Sequence, residues 1–407
     1  ACLLVLYAAP LPALVSTGME HATHLFFLLL LLARVFDLLE PGARGSVLPA
    51  CGAAFLATGF RYESLFLVAP VALVLWFRGR FRAGVMLSVA AFLPVAAFGA
   101  YSLAHGSGFL PNSLALKGNF PSANGIKALV DALGYHGFGE LLATPHLLSA
   151  VLLLLFGLRF RKGSADGLFW VSACLVVAIL LHLQFAATGW FFRYEAWLVG
   201  AVLPVVVCVF LGSARPPLKR PEGVEDWVRG AALAAIIVLL LWPFHKRGKE
   251  ALEEIVPASH HIHRQHRQVA DFLKASFPAG TPVAVNNLGL AAYAGGCRVL
   301  DLWGLGSREV ARSRSRRALT RDDIAGLLAA HGTKYMVVYE EWFPQLPAEL
   351  VRVGDWTLDD PYFPPPHDRI TFYGVGAEAA AELTTALRAF APRLPDTVTQ
   401  TFSATAP

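Results

Sequence analysis

Apolar runs approaching the roughly 20 residues that a helix needs to cross a hydrocarbon core recur along the first 244 residues, and they constrain the fold more than any other feature of this sequence. They fall near 2–15, 21–37, 62–77, 84–104, 146–158, 167–186, 191–212 and 229–244, with a ninth, shorter run at 47–59 that contains Pro49. Polytopic proteins tolerate runs below full length when helices tilt little or stop inside the bundle. Positions 1–213 hold 20 of the 63 Asp, Glu, Lys and Arg, whereas 245–407 hold 36. With 15% charged residues overall, against roughly 25% in soluble proteins, a disordered chain and an ordinary cytosolic enzyme are excluded. The expected fold is a polytopic α-helical membrane protein of about nine transmembrane helices over 1–248, with a C-terminal extracytoplasmic α/β domain over 249–390 and a flexible tail over 391–407.

Five cysteines make no disulfide framework. Cys2, Cys51, Cys174 and Cys208 lie in apolar runs, where a thiol behaves as a small hydrophobe, and Cys297 has no partner in the polar part. The net charge of +5 is spread over short Lys/Arg clusters between runs. Nucleic-acid binding needs a continuous basic stripe, so the clusters are read as topology. Arg44, then Arg78, Arg80 and Arg82, then Arg159, Arg161 and Lys162, then Arg215, Lys219, Arg220 and Arg229 share one side of a nine-crossing arrangement, which the positive-inside rule makes cytoplasmic. The outer side then receives 18–21, 59–63, a long loop at about 105–145, 189–195 and the C-terminal domain. Lys246, Arg247 and Lys249 follow the last run on the outer side and oppose this arrangement, although long domains translocate largely regardless of charge.

In the outer domain, 282–286, 298–302 and 334–339 read as short strands, and 320–331 as a helix with a Thr cap and acidic first turn. Their alternation predicts a parallel sheet.

Ionisable residues in or beside a membrane span are costly and point to function. Glu20 and His21, in Thr17-Gly18-Met19-Glu20-His21, suit acid/base chemistry, a divalent cation, or the capping of a helix N-terminus. Arg61-Tyr62-Glu63 offers a guanidinium fork for phosphate, or an internal ion pair. Gly189-Trp190-Phe191-Phe192-Arg193-Tyr194-Glu195 repeats the Arg-Tyr-Glu triplet beside aromatics of an interfacial belt. Leu110-Pro111-Asn112-Ser113-Leu114-Ala115-Leu116-Lys117 opens the long outer loop, with Asn112 suited to a sugar hydroxyl and Lys117 to a lipid phosphate. His260, His261, His263 and His266 have metal-like spacing, but the interleaved Arg264 and Arg267 repel a cation. Neither Ser107 nor Ser113 sits in a Gly-x-Ser-x-Gly elbow. No phosphate-binding loop or dinucleotide fingerprint occurs, which argues against ATP-driven transport in this chain.

Taken together, Ser16-Thr17-Gly18-Met19-Glu20, Arg61-Tyr62-Glu63, Phe109-Leu110-Pro111-Asn112-Ser113 with Lys117, and Gly189 to Glu195 resemble the GT-C superfamily of integral-membrane glycosyltransferases. Val283-Ala284-Val285-Asn286-Asn287-Leu288-Gly289 and Val299-Leu300-Asp301-Leu302-Trp303-Gly304-Leu305 look like the extracytoplasmic domain of such bacterial proteins, the actinobacterial cell-wall arabinofuranosyltransferases being the nearest group. The resemblance implies a multi-pass enzyme of the bacterial plasma membrane that serves cell-envelope biogenesis. It would transfer a sugar, with inversion, from a polyprenyl-phosphate donor to a glycan or protein acceptor. Glu20, Glu63 and Glu195 are then the catalytic or orienting carboxylates, and His21, Arg61, Asn112, Lys117, Arg193 and Tyr194 the substrate-binding residues. The family's usual catalytic acid lies in an outer loop between its first two helices, and no such loop is visible. The expectation is that two helices and that loop precede Ala1; otherwise Glu20 must serve. Two other classes compete: a transporter or flippase for a lipid-linked sugar, which would show inverted repeats and midplane charges, and a non-catalytic envelope assembly protein.

Overall fold

The computed structural model describes residues 2–40, 42, 45–118, 137–159, 167–212, 223–314, 318–359 and 368–404. Arg44, Arg161, Lys162, Arg215, Lys219, Arg220 and the middle of the long loop at about 105–145 lie outside them. The chain divides into two compact units, Ala1–Phe109 with Lys117–Glu253, and Leu110–Leu116 with Glu254–Pro407.

The first unit is helical. The apolar run at 2–15 forms two short helices, α1 (Cys2–Ala8) and α2 (Leu11–Ser16), because Pro10 cannot donate the backbone bond that would join them. Then come α3 (His21–Leu39), α4 (Leu48–Phe60), a single 3-10 turn at Tyr62–Ser64, α5 (Leu65–Phe77), α6 (Phe81–Ala104) and α7 (Asn112–Lys117), of which only Lys117 belongs to this unit. After the undescribed stretch follow α8 (Gly137–Ala143), α9 (Pro145–Arg159), α10 (Gly167–Phe185), α11 (Ala196–Gly212) and α12 (Val224–Ile262), whose residues from Glu254 belong to the second unit. α3 buries Leu25, Leu28, Leu32, Val35 and Leu39 at helical spacing and packs on α4, α10 and α11.

Four of the described helices are long and apolar enough to cross a membrane: α3, α6, α10 and the helix that begins at Val224. The other apolar helices are shorter than the nine-span expectation requires. α4 and α5 have 13 residues each, about 20 Å at 1.5 Å per residue. The run at 191–212 becomes helical only at Ala196, for the reason given below. Arg80 donates to the Leu38 and Gly45 carbonyls at 2.6 and 3.2 Å, and Arg78 donates to that of Leu39. Part of the basic cluster therefore satisfies the free carbonyls at the C-terminus of α3.

The second unit carries a six-stranded sheet in the order β2-β1-β3-β5-β4-β6. β1 (Pro282–Val285) pairs in parallel with β2 (Arg298–Asp301) and β3 (Tyr335–Val338), near the expected positions. The sheet is nevertheless mixed. β4 (Leu350–Leu358) and β5 (Arg369–Val375) follow with no described helix between them and pair antiparallel, so only two of the five strand pairings have the parallel form that strand–helix alternation predicted. α13 (Gln268–Ser276) and α17 (Gly376–Phe390) cover one face, where Phe272 packs its ring against Trp356, Phe372 and Phe390. Between β1 and β2 lies α14 (Leu288–Ala294); α15 (Arg308–Arg314) and α16 (Arg321–Ala330) follow β2, and both pack on the sheet's other face. α16 opens with a Thr320/Asp323 capping box.

The expected flexible tail is ordered between Val398 and Phe402. There β6 pairs with β4, because Val398 is buried in the core and the Gln400 carbonyl accepts the Trp356 indole N–H at 2.7 Å. Replacing Gln400 by Leu leaves that buried donor without a partner. The expected cost is about 1–3 kcal/mol, measured as a lower unfolding temperature of the full chain.

Candidate functional site

Four predicted residues meet at the N-terminal end of α3. Arg61 leaves α4 in an extended conformation, and its guanidinium lies between three partners. Nη1 is 2.9 Å from Glu20 Oε1 and 3.3 Å from His21 Nδ1, and Nη2 is 2.5 Å from Glu63 Oε1. Its Nε is buried without a partner. Glu20 occupies the N-cap position of α3 but makes no side-chain capping bond; its carboxylate turns to Arg61 instead. One turn further into the helix, His24 Nε2 lies 2.8 Å from Ser64 Oγ.

Arg193, Tyr194 and Lys117 form the adjoining group. The Arg193 guanidinium lies 5.1 Å from the centre of the Tyr194 ring, and Lys117 Nζ lies 5.8 Å from it. Arg193 Nη1 reaches the Met19 thioether sulfur at 3.3 Å, which joins this group to Glu20 through the neighbouring residue. Among the described residues neither cation has a carboxylate within ion-pair distance, and Arg193 Nε is a buried donor without a partner.

The third group holds the site in shape. Trp190, Phe191 and Phe192 have φ of 42°, 58° and 59°, a left-handed course that L-residues resist because Cβ crowds the carbonyl. This turn is why the run at 191–212 does not begin as a helix. Two contacts tie it down: Gly189 N donates to Glu195 Oε2 at 3.0 Å, and Arg247 donates to the Phe192 carbonyl. Arg247 Nη1 also bonds Glu195 Oε1 at 2.6 Å, and both side chains are almost fully buried. His146 Nε2 lies 3.2 Å from the same oxygen. This is ion-pair distance, but the nitrogen is not aligned for a hydrogen bond. Burial alone raises the Glu195 carboxyl; Arg247 and His146 outweigh it and hold the group well below the usual carboxylate range.

The two Arg-Tyr-Glu triplets thus behave differently. Arg61 pairs with its own Glu63, whereas Glu195 pairs with Arg247 and not with Arg193. The carboxylates differ as strongly in access, with side-chain exposures of 34% for Glu20, 18% for Glu63 and 1% for Glu195. Asn112 joins none of these groups. It belongs to the second unit, where its amide donates to the Leu305 carbonyl at 3.3 Å.

Arg247 and His146 were not singled out from the sequence. For Arg247 a signal exists: Lys246 and Lys249 each have a glutamate four residues on, at 3.6 Å in both cases, whereas Arg247 has Ala251, on the face that also buries Phe244. Below the ionic groups an apolar groove of about 1140 Å³ follows α3 from Ala22 to Asp37 and is walled by α1, α10 and α11. The fifteen helical steps from Ala22 to Asp37 give it a length of about 22 Å. No cluster of three or more His, Cys, Asp or Glu able to hold a metal occurs among the described residues, His260, His261, His263 and His266 included.

A domain of unknown function (DUF8728) matches residues 258–377, most of the second unit. No curated protein and no solved structure matches the chain.

Proposed function

We propose that the chain is an inverting membrane glycosyltransferase that moves a sugar from a polyprenyl-phosphate donor to an extracytoplasmic glycan or protein acceptor. The observation that carries this reading is the pair Arg193 and Lys117, two cations beside one tyrosine ring with no carboxylate within ion-pair distance among the described residues. Like charges brought together at low dielectric need an anion, and the donor phosphate supplies one. The groove along α3 begins one residue after His21 and has the length and apolar lining that an isoprenoid chain requires, so charge and hydrocarbon find their places in the order in which the donor carries them.

In the reaction the acceptor hydroxyl oxygen attacks the anomeric carbon, its proton passes to a carboxylate, and the bond from that carbon to the phosphate oxygen breaks, releasing polyprenyl phosphate. The leaving phosphate gains negative charge as the bond breaks, so fixed cations stabilise the transition state more than the ground state. Glu20, the most exposed of the three carboxylates, is the base. Glu63 keeps Arg61 in place, and Glu195 is a positioning residue.

The nine-crossing topology belongs to this reading, with α1 and α2 forming one crossing and the shorter helices completing the rest. α3 carries Glu20 and His21 at one end and the Arg78 and Arg80 caps at the other, as the sorting of charge between two sides demands.

The test is transfer of labelled sugar from a polyprenyl-phosphate donor in membranes containing the full chain. Glu20→Gln should slow it about 10²-fold, with the donor still bound. Unchanged turnover in Glu20→Gln removes that residue as the base, and absence of transfer by the wild-type chain from every polyprenyl-phosphate sugar supplied overturns the reading.

A further inference from the structure

The second unit carries a groove that the transfer reaction does not use. α13 ends at Ser276, where the backbone of Phe277 becomes extended and its ring enters the core. α17 runs on to Phe390 and continues as a 3-10 turn at Ala391–Arg393. Between the two lies an open groove of about 520 Å³, a volume within the range of ligand sites.

The α17 wall consists of Glu382, Thr385, Ala386, Ala389 and Arg393, whose spacing of i, i+3, i+4, i+7 and i+11 is that of one helical face. Its middle is built of small side chains, and the buried rings of Phe277 and Phe390 lie below. Of the described residues that line the groove, only Glu382 and Arg393 are charged, and they stand at opposite ends of that wall. Eight helical steps of 1.5 Å and three 3-10 steps of 2.0 Å separate them by about 18 Å along the axis.

Both charges are open to a ligand. Lys334 Nζ lies 3.6 Å from Glu382 Oε2, but both side chains are about half exposed, where such a pair is worth little. Arg393 lies 5.2 Å from the centre of the Phe390 ring and has no carboxylate within ion-pair distance among the described residues. Between the charges the walls offer hydroxyls. Thr385 Oγ1 donates to the Ala381 carbonyl at 3.0 Å, which leaves its lone pairs for an incoming N–H, and Ser276 has no hydrogen-bond partner among the described residues. Behind the groove Tyr335 is fully buried and stacks on Phe277 at 4.4 Å between ring centres. Its hydroxyl has no partner; burial, with Glu382 nearby, raises the phenol, so a further donor is kept beside the acidic end.

The arrangement of charge selects the ligand. A phosphate or a fatty acid satisfies Arg393 and is repelled by Glu382. A single amino acid carries both charges but cannot reach both ends. At 3.3–3.6 Å per residue, about five extended residues span the distance, and their amide groups match the hydroxyls of the walls.

We propose that this groove binds a short peptide of about five residues in extended form, its terminal ammonium at Glu382 and its terminal carboxylate at Arg393. This site lies beyond the sugar-transfer reading and does not depend on it.

Saturation-transfer NMR on the full chain in phosphatidylcholine nanodiscs tests it, with pentaalanine as the probe. Acetylating its amine or amidating its carboxylate should each weaken binding about 5-fold, the worth of one half-exposed ion pair of about 1 kcal/mol. The variants fix the orientation. Glu382→Gln should bind free pentaalanine about 5-fold more weakly and lose the sensitivity to acetylation while keeping that to amidation; Arg393→Gln should do the reverse. Both residues are exposed, so both variants keep the fold, as thermal unfolding checks. Absence of pentaalanine binding overturns the proposal, as does equal binding of the free and blocked peptides. A wild-type chain that senses amidation but not acetylation also overturns it, because the groove is then a site for anions alone.

Discussion

Arg193→Ala and Lys117→Ala are each expected to slow sugar transfer from a polyprenyl-phosphate donor about 10²–10³-fold, the usual cost of removing one preorganised donor from a developing negative charge. Among the described residues Arg193 pairs with no carboxylate: its contacts there are the Met19 sulfur, the Tyr194 hydroxyl and the faces of Trp190 and Tyr194. Its full charge is therefore available to a ligand, and the same holds for Lys117. Arg193→Lys keeps the charge but loses the planar fork, so its rate should fall between wild type and Arg193→Ala. Tyr194→Phe keeps the ring under both cations and should change the rate least. Initial rates with a labelled donor, compared at equal amounts of folded protein judged by thermal unfolding, give the ranking. Wild-type rates in both alanine variants remove the phosphate site from this place.

The helical half of the fold was legible because helix formation follows from local pattern: the apolar runs became helices, and Pro10 broke the first of them as its missing N–H requires. The site was legible only as a list. That Glu20, His21, Arg61 and Glu63 meet follows from α3 and α4 lying side by side, which no spacing within either segment encodes. The two Arg-Tyr-Glu triplets look identical in the sequence and differ in the structure, because Glu195 finds its partner 52 residues away. In the second unit β1, β2 and β3 announced themselves by short apolar, β-branched runs. β6 did not, since Val-Thr-Gln-Thr-Phe between prolines becomes a strand only when β4 offers its edge.

Arg247→Leu is expected to destabilise the membrane unit by about 3–5 kcal/mol, because it leaves the Glu195 charge buried without its main partner, and to abolish transfer. The double variant Arg247→Leu with Glu195→Leu removes both charges, and its stability should recover most of that loss. Its activity should not recover. Three consecutive left-handed residues cost roughly 1–2 kcal/mol each, and the bonds from Gly189 N to Glu195 and from Arg247 to the Phe192 carbonyl are what offset that cost. Without them the turn relaxes, and Arg193 and Tyr194, the next two residues, leave their positions near Met19 and Lys117. A folded but inactive double variant therefore identifies the pair as a positioning device, whereas a double variant with wild-type rates makes it a packing element only. The pair also has a pH signature. The folded Glu195 carboxyl lies below its unfolded value of about 4.3, so its contribution is complete above that pH and is lost as the pH falls through the lower folded value. Acid unfolding of Glu195→Gln should accordingly be less steep than that of wild type below about pH 4, measured by thermal unfolding of both proteins across that range.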